Sequence, residues 1–272
     1  MELIKAALYG VVEGITEWLP VSSTGHIILL GEFLPLNVSP EFMKLFLVVI
    51  QLGAILAVVT LFWGQLFPFS FGGGPVIRKD IFVMWFKVAV ACIPAVVVEL
   101  LWGDEIEAKF YHYQTVAAAL IIVGLLFLGV EHFNKNRRAS VTNIAGITYR
   151  TAFLIGLFQL VAAVFPGTSR SGATILGALM LGVSRTAAAE FTFFLAVPVM
   201  FGASLYKLVK FGLAFTAPEL LILAVGTVVA FFVSLAVIRF LMGYIKKHDF
   251  IPFGWYRILL GIVVFAYFSL AA

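Results

Sequence analysis

Carboxylates, hydroxyls and a histidine lie close together in the segment from Gly10 to His26, GVVEGITEWLPVSSTGH. Glu13 and Glu17 are four residues apart, so a helix places both carboxylates on one face. Such a pair suits a hard divalent cation, Mg²⁺ or Ca²⁺, that bridges to phosphate oxygens, and either carboxylate could instead carry a proton. Polar groups are costly within apolar sequence of this kind, which predicts a functional site.

A polar turn should follow the two glutamates. The helix is predicted to stop near Pro20, because the residue before a proline is disfavoured in the α region. Ser22, Ser23 and Thr24 then precede His26. His26 could attack phosphorus directly or act as the base that activates Ser23 or water. The ordinary alternative is a histidine that only hydrogen-bonds a backbone carbonyl.

A second polar segment runs from Gly156 to Thr174, GLFQLVAAVFPGTSRSGAT. Arg170 lies between Ser169 and Ser171, and its planar guanidinium suits bidentate binding of phosphate. The serines, Thr174 and the free amides at the start of the following helix could donate to the same anion. A structural ion pair between Arg170 and one of the glutamates of the first segment is the simpler alternative, and the two roles do not exclude each other.

The composition identifies the class of protein. Of the 272 residues, 62% are hydrophobic and only 12% are charged, whereas about a quarter of a soluble globular chain is charged. We therefore predict a polytopic membrane protein. The net charge of +4 fits lysines and arginines in cytoplasmic loops and does not require a nucleic-acid partner. The single cysteine, Cys92, excludes a disulfide within the chain.

The two polar segments match each other, which indicates an internal duplication. An offset of 146 residues places Gln159 on Glu13, Pro166 on Pro20, Thr168 on Ser22 and Ser169 on Ser23. At an offset of 149 residues, Glu41-Phe42 and Gly53-Ala54 recur as Glu190-Phe191 and Gly202-Ala203. We predict a first repeat at 1–133, a basic cytoplasmic linker at 134–146 and a second repeat at 147–272.

Each repeat is predicted to contain a broken helix pair and three transmembrane helices, in an all-α fold. The pieces of each pair are short or polar for a span of about 20 residues, so each pair should be re-entrant and buried in protein or lining a cavity. Three spans per half is an odd number, which makes the repeats inverted in the membrane. The Gly/Pro-rich loop at 68–80 and the basic linker then lie in the cytoplasm, with the acidic loop Gly103–Tyr111 outside. Lys207 and Lys210, near the outer face, are the exception to this charge distribution.

At these residues the chain resembles the undecaprenyl-diphosphate phosphatase family linked to bacitracin resistance. The EGxTE motif of the family stands at 13–17, LPVSSTGH at 19–26, and PGxSRSxxT at 166–174. The resemblance extends over essentially the whole chain and implies an enzyme of the bacterial cytoplasmic membrane. Its reaction would convert undecaprenyl diphosphate to undecaprenyl phosphate, with Mg²⁺ or Ca²⁺ and a site open to the outer face. A polyprenyl diphosphate, membrane lipid and a second copy of the chain, as a homodimer, are the expected partners.

The resemblance and the residue types together assign roles to ten residues. The expected catalytic residues are His26, Ser23, Glu17 and Arg170. The expected substrate-binding residues are Arg170, Ser169, Ser171, Thr174, Ser22 and Thr24. The expected metal ligands are Glu13 and Glu17.

Two other functions would use the same residues. A flippase for the polyprenyl phosphate carrier would bind the lipid without hydrolysis, and inverted repeats are frequent in transporters. A proton-coupled exchanger for small ions would use the glutamates but has no use for the serines around Arg170. Neither needs a nucleophile and base such as Ser23 and His26, which favours the phosphatase.

Overall fold

The computed structural model describes residues 1–70, 76–212 and 214–271, and all regular elements in these ranges are helical. The α-helices are α1 (Glu2–Thr16), α2 (Ser23–Phe33), α3 (Pro40–Leu61), α4 (Trp63–Leu66), α5 (Lys79–Phe110), α6 (Tyr113–Asn134), α7 (Tyr149–Val164), α8 (Arg170–Met180), α9 (Arg185–Phe211), α10 (Ala217–Tyr244) and α11 (Ile251–Ala271). Of the described helices, α3, α5, α6, α9, α10 and α11 are long and apolar enough to cross a membrane. The prediction of an all-α, multi-pass membrane protein is confirmed.

The helices follow the same order in the two halves of the chain. Two short helices with a break between them, α1 and α2, precede α3, α5 and α6, and α7 and α8 likewise precede α9, α10 and α11. The extra element is α4, a single turn after α3. The breaks lie at 17–22 and 165–169, where proline and small polar residues replace the apolar pattern.

Local sequence signals set the start of several helices. Ser39 caps α3, where its Oγ accepts a hydrogen bond from the amide of Phe42 at 3.1 Å, and Pro40 occupies the first helical position. Thr216 and Glu219 form a reciprocal capping box at the start of α10. These caps satisfy amides that have no partner within the helix.

The acidic loop predicted at Gly103–Tyr111 is instead helical up to Phe110. α5 has 32 residues, or about 48 Å at 1.5 Å per residue, and therefore extends well beyond a hydrocarbon core of about 30 Å. A single glycine within a helix costs only about 1 kcal/mol, so Gly103 does not end it. Glu107 on the last turns forms an exposed ion pair with Lys44 of α3 at 2.7 Å. Part of the loop predicted at 68–80, residues 71–75, lies outside the described residues.

The two halves of the chain pack against each other through several pairs of helices. α1 of the first half packs on α10 of the second, α7 packs on α5, α3 packs on α9 and α6 packs on α11. Glycines allow the closest of these contacts. A Cβ at Gly10 would lie 2.5 Å from the carbonyl oxygen of Gly226, and one at Gly156 would lie 2.3 Å from that of Ala91. Gly10 and Gly156, which the sequence match aligns, therefore perform the same packing role in α1 and α7.

Candidate active site

Both helix breaks end in a serine with the same unusual backbone conformation. Ser22 has φ of 74° and Ser169 has φ of 68°, and each directly precedes the first residue of α2 or α8. The sequence match placed Thr168 on Ser22, whereas the structure places Ser169 there and so aligns Arg170 with Ser23. The physical reason is that the second break has one more residue between its proline and the helix.

A buried arginine from α11 holds both breaks. Nη1 of Arg257 donates to the carbonyl oxygen of Pro20 at 3.1 Å, while Nη2 donates to those of Gly167 at 2.8 Å and Thr168 at 2.7 Å. Its side chain is 0% exposed. Left-handed backbone costs about 1–2 kcal/mol for a residue with a Cβ, so these bonds help to stabilise the strained turns. Arg257 is not among the predicted site residues, although an arginine within an apolar span was the available signal.

Glu17 contacts residues of both breaks through an ion pair and hydrogen bonds. Its Oε1 lies 2.7 Å from Nη2 of Arg170, and its Oε2 accepts a hydrogen bond from Ser23 Oγ at 3.3 Å. Its backbone carbonyl accepts from Ser171 Oγ at 3.0 Å, and that hydroxyl lies 3.1 Å from Ser169 Oγ. The structure therefore brings these five predicted residues together, and the ion pair considered as an alternative role is present.

Further contacts orient Arg170 and the start of α8. Nη1 lies 3.4 Å from the carbonyl oxygen of Thr192, and Nη2 lies 3.3 Å from Sδ of Met200. Thr174 donates to the backbone oxygen of Arg170 at 2.9 Å and accepts from the hydroxyl of Thr192 at 2.9 Å. Thr174 is fully buried, and its contacts help to fix the backbone of Arg170. Its predicted role in binding substrate stays a prediction.

His26 has partners other than Ser23. Its Nδ1 lies 2.7 Å from the carbonyl oxygen of Ser22, and because a carbonyl only accepts, Nδ1 must donate. In a neutral imidazole, Nε2 then carries the lone pair and accepts from the hydroxyl of Tyr256 at 2.7 Å. The two rings stack at 5.6 Å with an interplanar angle of 8°. Tyr256, on α11, is a second residue that the sequence does not single out.

The remaining predicted residues differ in their surroundings. Both carboxylate oxygens of Glu13 are buried without a hydrogen-bond partner among the described residues, and the side chain is 0% exposed. The hydroxyl of Ser22 is likewise buried without a partner, whereas Thr24 is partly exposed. Glu13 also lies within electrostatic range of Glu17 and Arg170. Its free oxygens make it the best placed ligand for a cation in the group.

The carboxylate oxygens of Glu13 and Glu17 decide how well the site fits a divalent cation. Glu13 offers two, while those of Glu17 are engaged by Arg170 and Ser23. Across the described parts of the chain, no group of three or more His, Cys, Asp and Glu side chains could hold a metal ion. Mg²⁺ is commonly bound by one or two carboxylates together with substrate phosphates and water. The residues therefore fit a cation that arrives with, or is completed by, a phosphate group.

A cavity of about 630 Å³ leads to Arg170. It lies between α5, α7 and α9, and extends to the ends of α5 and α9. Apolar and charged side chains share its wall, including Ala95, Leu101, Trp102, Glu107, Tyr206 and Lys207. A cavity of this size lined by the partly buried guanidinium of Arg170 can accept an anionic head group while an apolar chain follows the outer wall.

Comparison with known proteins supports this description. The family model "Bacitracin resistance protein BacA" matches residues 6–263. The chain is 64% identical over 269 residues to an undecaprenyl-diphosphatase of Desulfitobacterium hafniense, covering 99% of this chain and 97% of that protein. It is 60% identical over 268 residues to undecaprenyl-diphosphatase 1 of Clostridium acetobutylicum, covering 98% of each chain. It is 57% identical over 266 residues to an undecaprenyl-diphosphatase of Enterococcus faecalis, covering 97% and 96%. The chain therefore belongs to the bacitracin resistance protein BacA family.

Proposed function

We propose that this protein is an integral membrane phosphatase that hydrolyses undecaprenyl diphosphate to undecaprenyl phosphate and phosphate, and so recycles the lipid carrier of cell-wall precursors. The observation that carries the proposal is the group formed by Glu17, Ser23, Arg170 and Ser171 where the two breaks meet. The names of the relatives, which are those of diphosphatases, favour hydrolysis over a flippase that binds the same lipid.

Arg170 would bind and orient the diphosphate. A guanidinium has five N–H donors, so its contacts with Glu17, Thr192 and Met200 leave donors for phosphate oxygens. Phosphoryl transfer depends mainly on positioning and on fixed positive charge near the transferred group. The amides at the start of α8 add donors with the correct polarity, because a helix N-terminus favours anions.

Two side chains could supply the attacking group or its base. Ser23 already donates a hydrogen bond to Glu17, so the carboxylate can take its proton as the hydroxyl attacks. His26 has an unprotonated Nε2 that accepts from the Tyr256 hydroxyl, so it could attack phosphorus or take a proton from water once that hydrogen bond opens. The carboxylate beside Ser23 is that of Glu17, which would serve as its base, while His26 forms a separate pair with Tyr256.

Glu13 would be the main protein ligand of a divalent cation, Mg²⁺ or Ca²⁺, with Glu17 as a second ligand. When bound, such a cation supplies positive charge that offsets the charge of the phosphate oxygens. The buried and unpartnered oxygens of Glu13 support this role, because an isolated buried carboxylate is otherwise unfavourable.

Removal of divalent cations should abolish the reaction. We expect purified protein in detergent to release phosphate from farnesyl or undecaprenyl diphosphate with Mg²⁺ or Ca²⁺, and to lose at least about 100-fold of that rate in EDTA, since cation charge contributes several kcal/mol to such reactions. Restoring the cation after EDTA treatment should restore the rate, which controls for unfolding. A folded, cation-loaded protein that releases no phosphate would exclude the phosphatase, and a lipid-flipping assay in liposomes would then be the next measurement.

Tyr256→Phe should show whether the hydrogen bond to His26, as distinct from the ring stacking, matters for activity. The phenylalanine keeps the stacked ring but loses the hydrogen bond to Nε2. A net hydrogen bond contributes about 0.5–1.5 kcal/mol, so we expect a fall in kcat of roughly threefold to tenfold with little change in the thermal midpoint. Trp255→Phe, a change at an exposed neighbour on α11, is the control. An unchanged kcat in Tyr256→Phe would show that the hydroxyl does not position the imidazole for the reaction.

We further propose that the repeats are inverted, with both pairs re-entrant and the site open to the outer face of the bacterial cytoplasmic membrane. Helix ends that this topology assigns to one side do contact each other. Lys44 pairs with Glu107 at the proposed outer side, while Glu131 at the proposed inner side pairs with Arg185 and accepts from the amide of Phe250 at 3.0 Å. The exchange of α1 and α7 between halves also fits inverted repeats, whose sites lie at the repeat interface. The division at 134–146 and the homodimer stay predictions.

Reporter fusions should test this orientation. A reporter that is active only in the cytoplasm should be active when fused after Arg138 and inactive when fused after Tyr111. The physical reason is that lysines and arginines near span ends are retained in the cytoplasm, and the segment after α6 is rich in them. The opposite pattern at both fusion points would reverse the topology and place the cavity mouth at the cytoplasmic face.

A further inference from the structure

Gln159 of α7 is a buried amide without a partner. Its side chain is 2% exposed, and neither Oε1 nor Nε2 forms a hydrogen bond with any residue that the structure describes. A buried carboxamide that lacks hydrogen bonds is unfavourable, and most such groups in folded proteins have a partner. An orphaned amide of this kind indicates a binding partner that comes from outside the chain.

The position of Gln159 identifies where that partner binds. Gln159 and Arg170 both line the cavity of about 630 Å³, together with apolar residues of α7 and α9 such as Ala162, Ala163 and Val199. The sequence match aligns Gln159 with Glu13, the other site side chain with both polar end atoms unpartnered. The duplication thus places a neutral amide in α7 where α1 has an acid.

We propose that Gln159 is a substrate-binding residue, which donates a hydrogen bond from Nε2 to a phosphate oxygen of the diphosphate held by Arg170. This inference rests on the proposed phosphatase function and adds a residue to its site. The amide provides a donor without a negative charge, so it does not repel the anion as a carboxylate would. Arg170 of α8 attracts the diphosphate through its positive charge, and Gln159 of α7 orients it through a directional hydrogen bond. The head group is therefore held from two helices.

Gln159→Met tests the proposal, because methionine has a similar length and no hydrogen-bonding amide. We expect KM for farnesyl diphosphate to rise about tenfold, the loss of one hydrogen bond to a charged group. The thermal midpoint of the substrate-free protein should stay equal or rise, because the amide removed has no partner in the protein. A merely structural glutamine would lower the midpoint and leave KM unchanged. Gln65→Met, at an exposed glutamine of α4, is the matched control.

A binding measurement gives a second test that does not depend on turnover. Pyrophosphate with Mg²⁺ should raise the thermal midpoint of the wild-type protein, and Gln159→Asn, whose amide is one carbon shorter, should lose most of that increase. An unchanged KM in Gln159→Met, or a full pyrophosphate effect in Gln159→Asn, would overturn the proposal. A wild-type protein that releases phosphate normally alongside such a result would leave the phosphatase function intact, whereas a wild type without activity would contradict the function itself.

Discussion

Arg170→Ala should reduce phosphate release by about 10³-fold, the largest expected effect on activity. Loss of a guanidinium that stabilises phosphoryl-transfer charge commonly costs 10³-fold to 10⁵-fold in rate. The substitution also removes the partner of Glu17, with which Arg170 forms a 2.7 Å ion pair. Initial rates with farnesyl diphosphate, measured at saturating substrate and cation, would show the fall in kcat.

The same substitution should destabilise the protein, so the two effects need to be separated. Removing one partner of a largely buried pair costs about 3 kcal/mol or more, whereas replacing both with neutral residues is often nearly neutral. The double variant Arg170→Met with Glu17→Gln should therefore regain thermal stability without regaining activity. Recovery of both would show that neither Arg170 nor Glu17 is needed for the chemical step. Arg170→Lys, which keeps the charge but not the planar fork, should retain a small part of the rate.

Arg257→Met should cause the largest loss of stability among these variants, on the order of 4 kcal/mol, because it removes three hydrogen bonds from a charged donor. Arg257 contacts Pro20, Gly167 and Thr168, so both breaks lose their support at once. Activity should fall with it, since Glu17 and Arg170 are positioned by those breaks. Thermal unfolding in detergent, followed by circular dichroism, would measure the change.

An exposed arginine provides the control for this experiment. Arg239→Met, on the exposed surface of α10, removes the same charge and should change the thermal midpoint little. A lysine at 257 provides one point charge that cannot reach all three carbonyl oxygens in the same geometry, so we expect only partial rescue. Full stability in Arg257→Met would contradict the role of this residue in holding the two breaks together.

Composition and the positions of prolines and polar residues were sufficient to identify the class of protein and its two polar breaks. A backbone in a membrane must have every polar group bonded internally, and an apolar segment of about 20 residues achieves this as a helix. The six long helices therefore follow from composition and length. The same argument identified Glu17 and Arg170, because charged groups in such segments are costly and need a specific role. Both lie where the breaks meet.

Which polar groups contact each other depends on how the helices pack. Ser23 donates to Glu17 and not to His26, although His26 is closer along the chain. Hydrogen bonding at a break depends on the direction in which each side chain points. The positive φ at Ser22 changes that direction, and the number of residues between two polar groups does not predict the change. The predicted end of α5 was wrong because Glu105, Glu107 and Ala108 favour helix, so the helix continues past Gly103 to Phe110.

The contacts of α11 are the clearest case of partners that helix packing brings together. Tyr256 and Arg257 lie 230 or more residues from His26 and Pro20 along the chain, and no pattern in the sequence connects them. Their contacts exist because α11 packs on α6 and α2 and brings its polar side chains to the breaks. The polar residues needed for chemistry are visible in a sequence because burying them is costly. Their partners are fixed by helix packing, which depends on the shape of the whole chain.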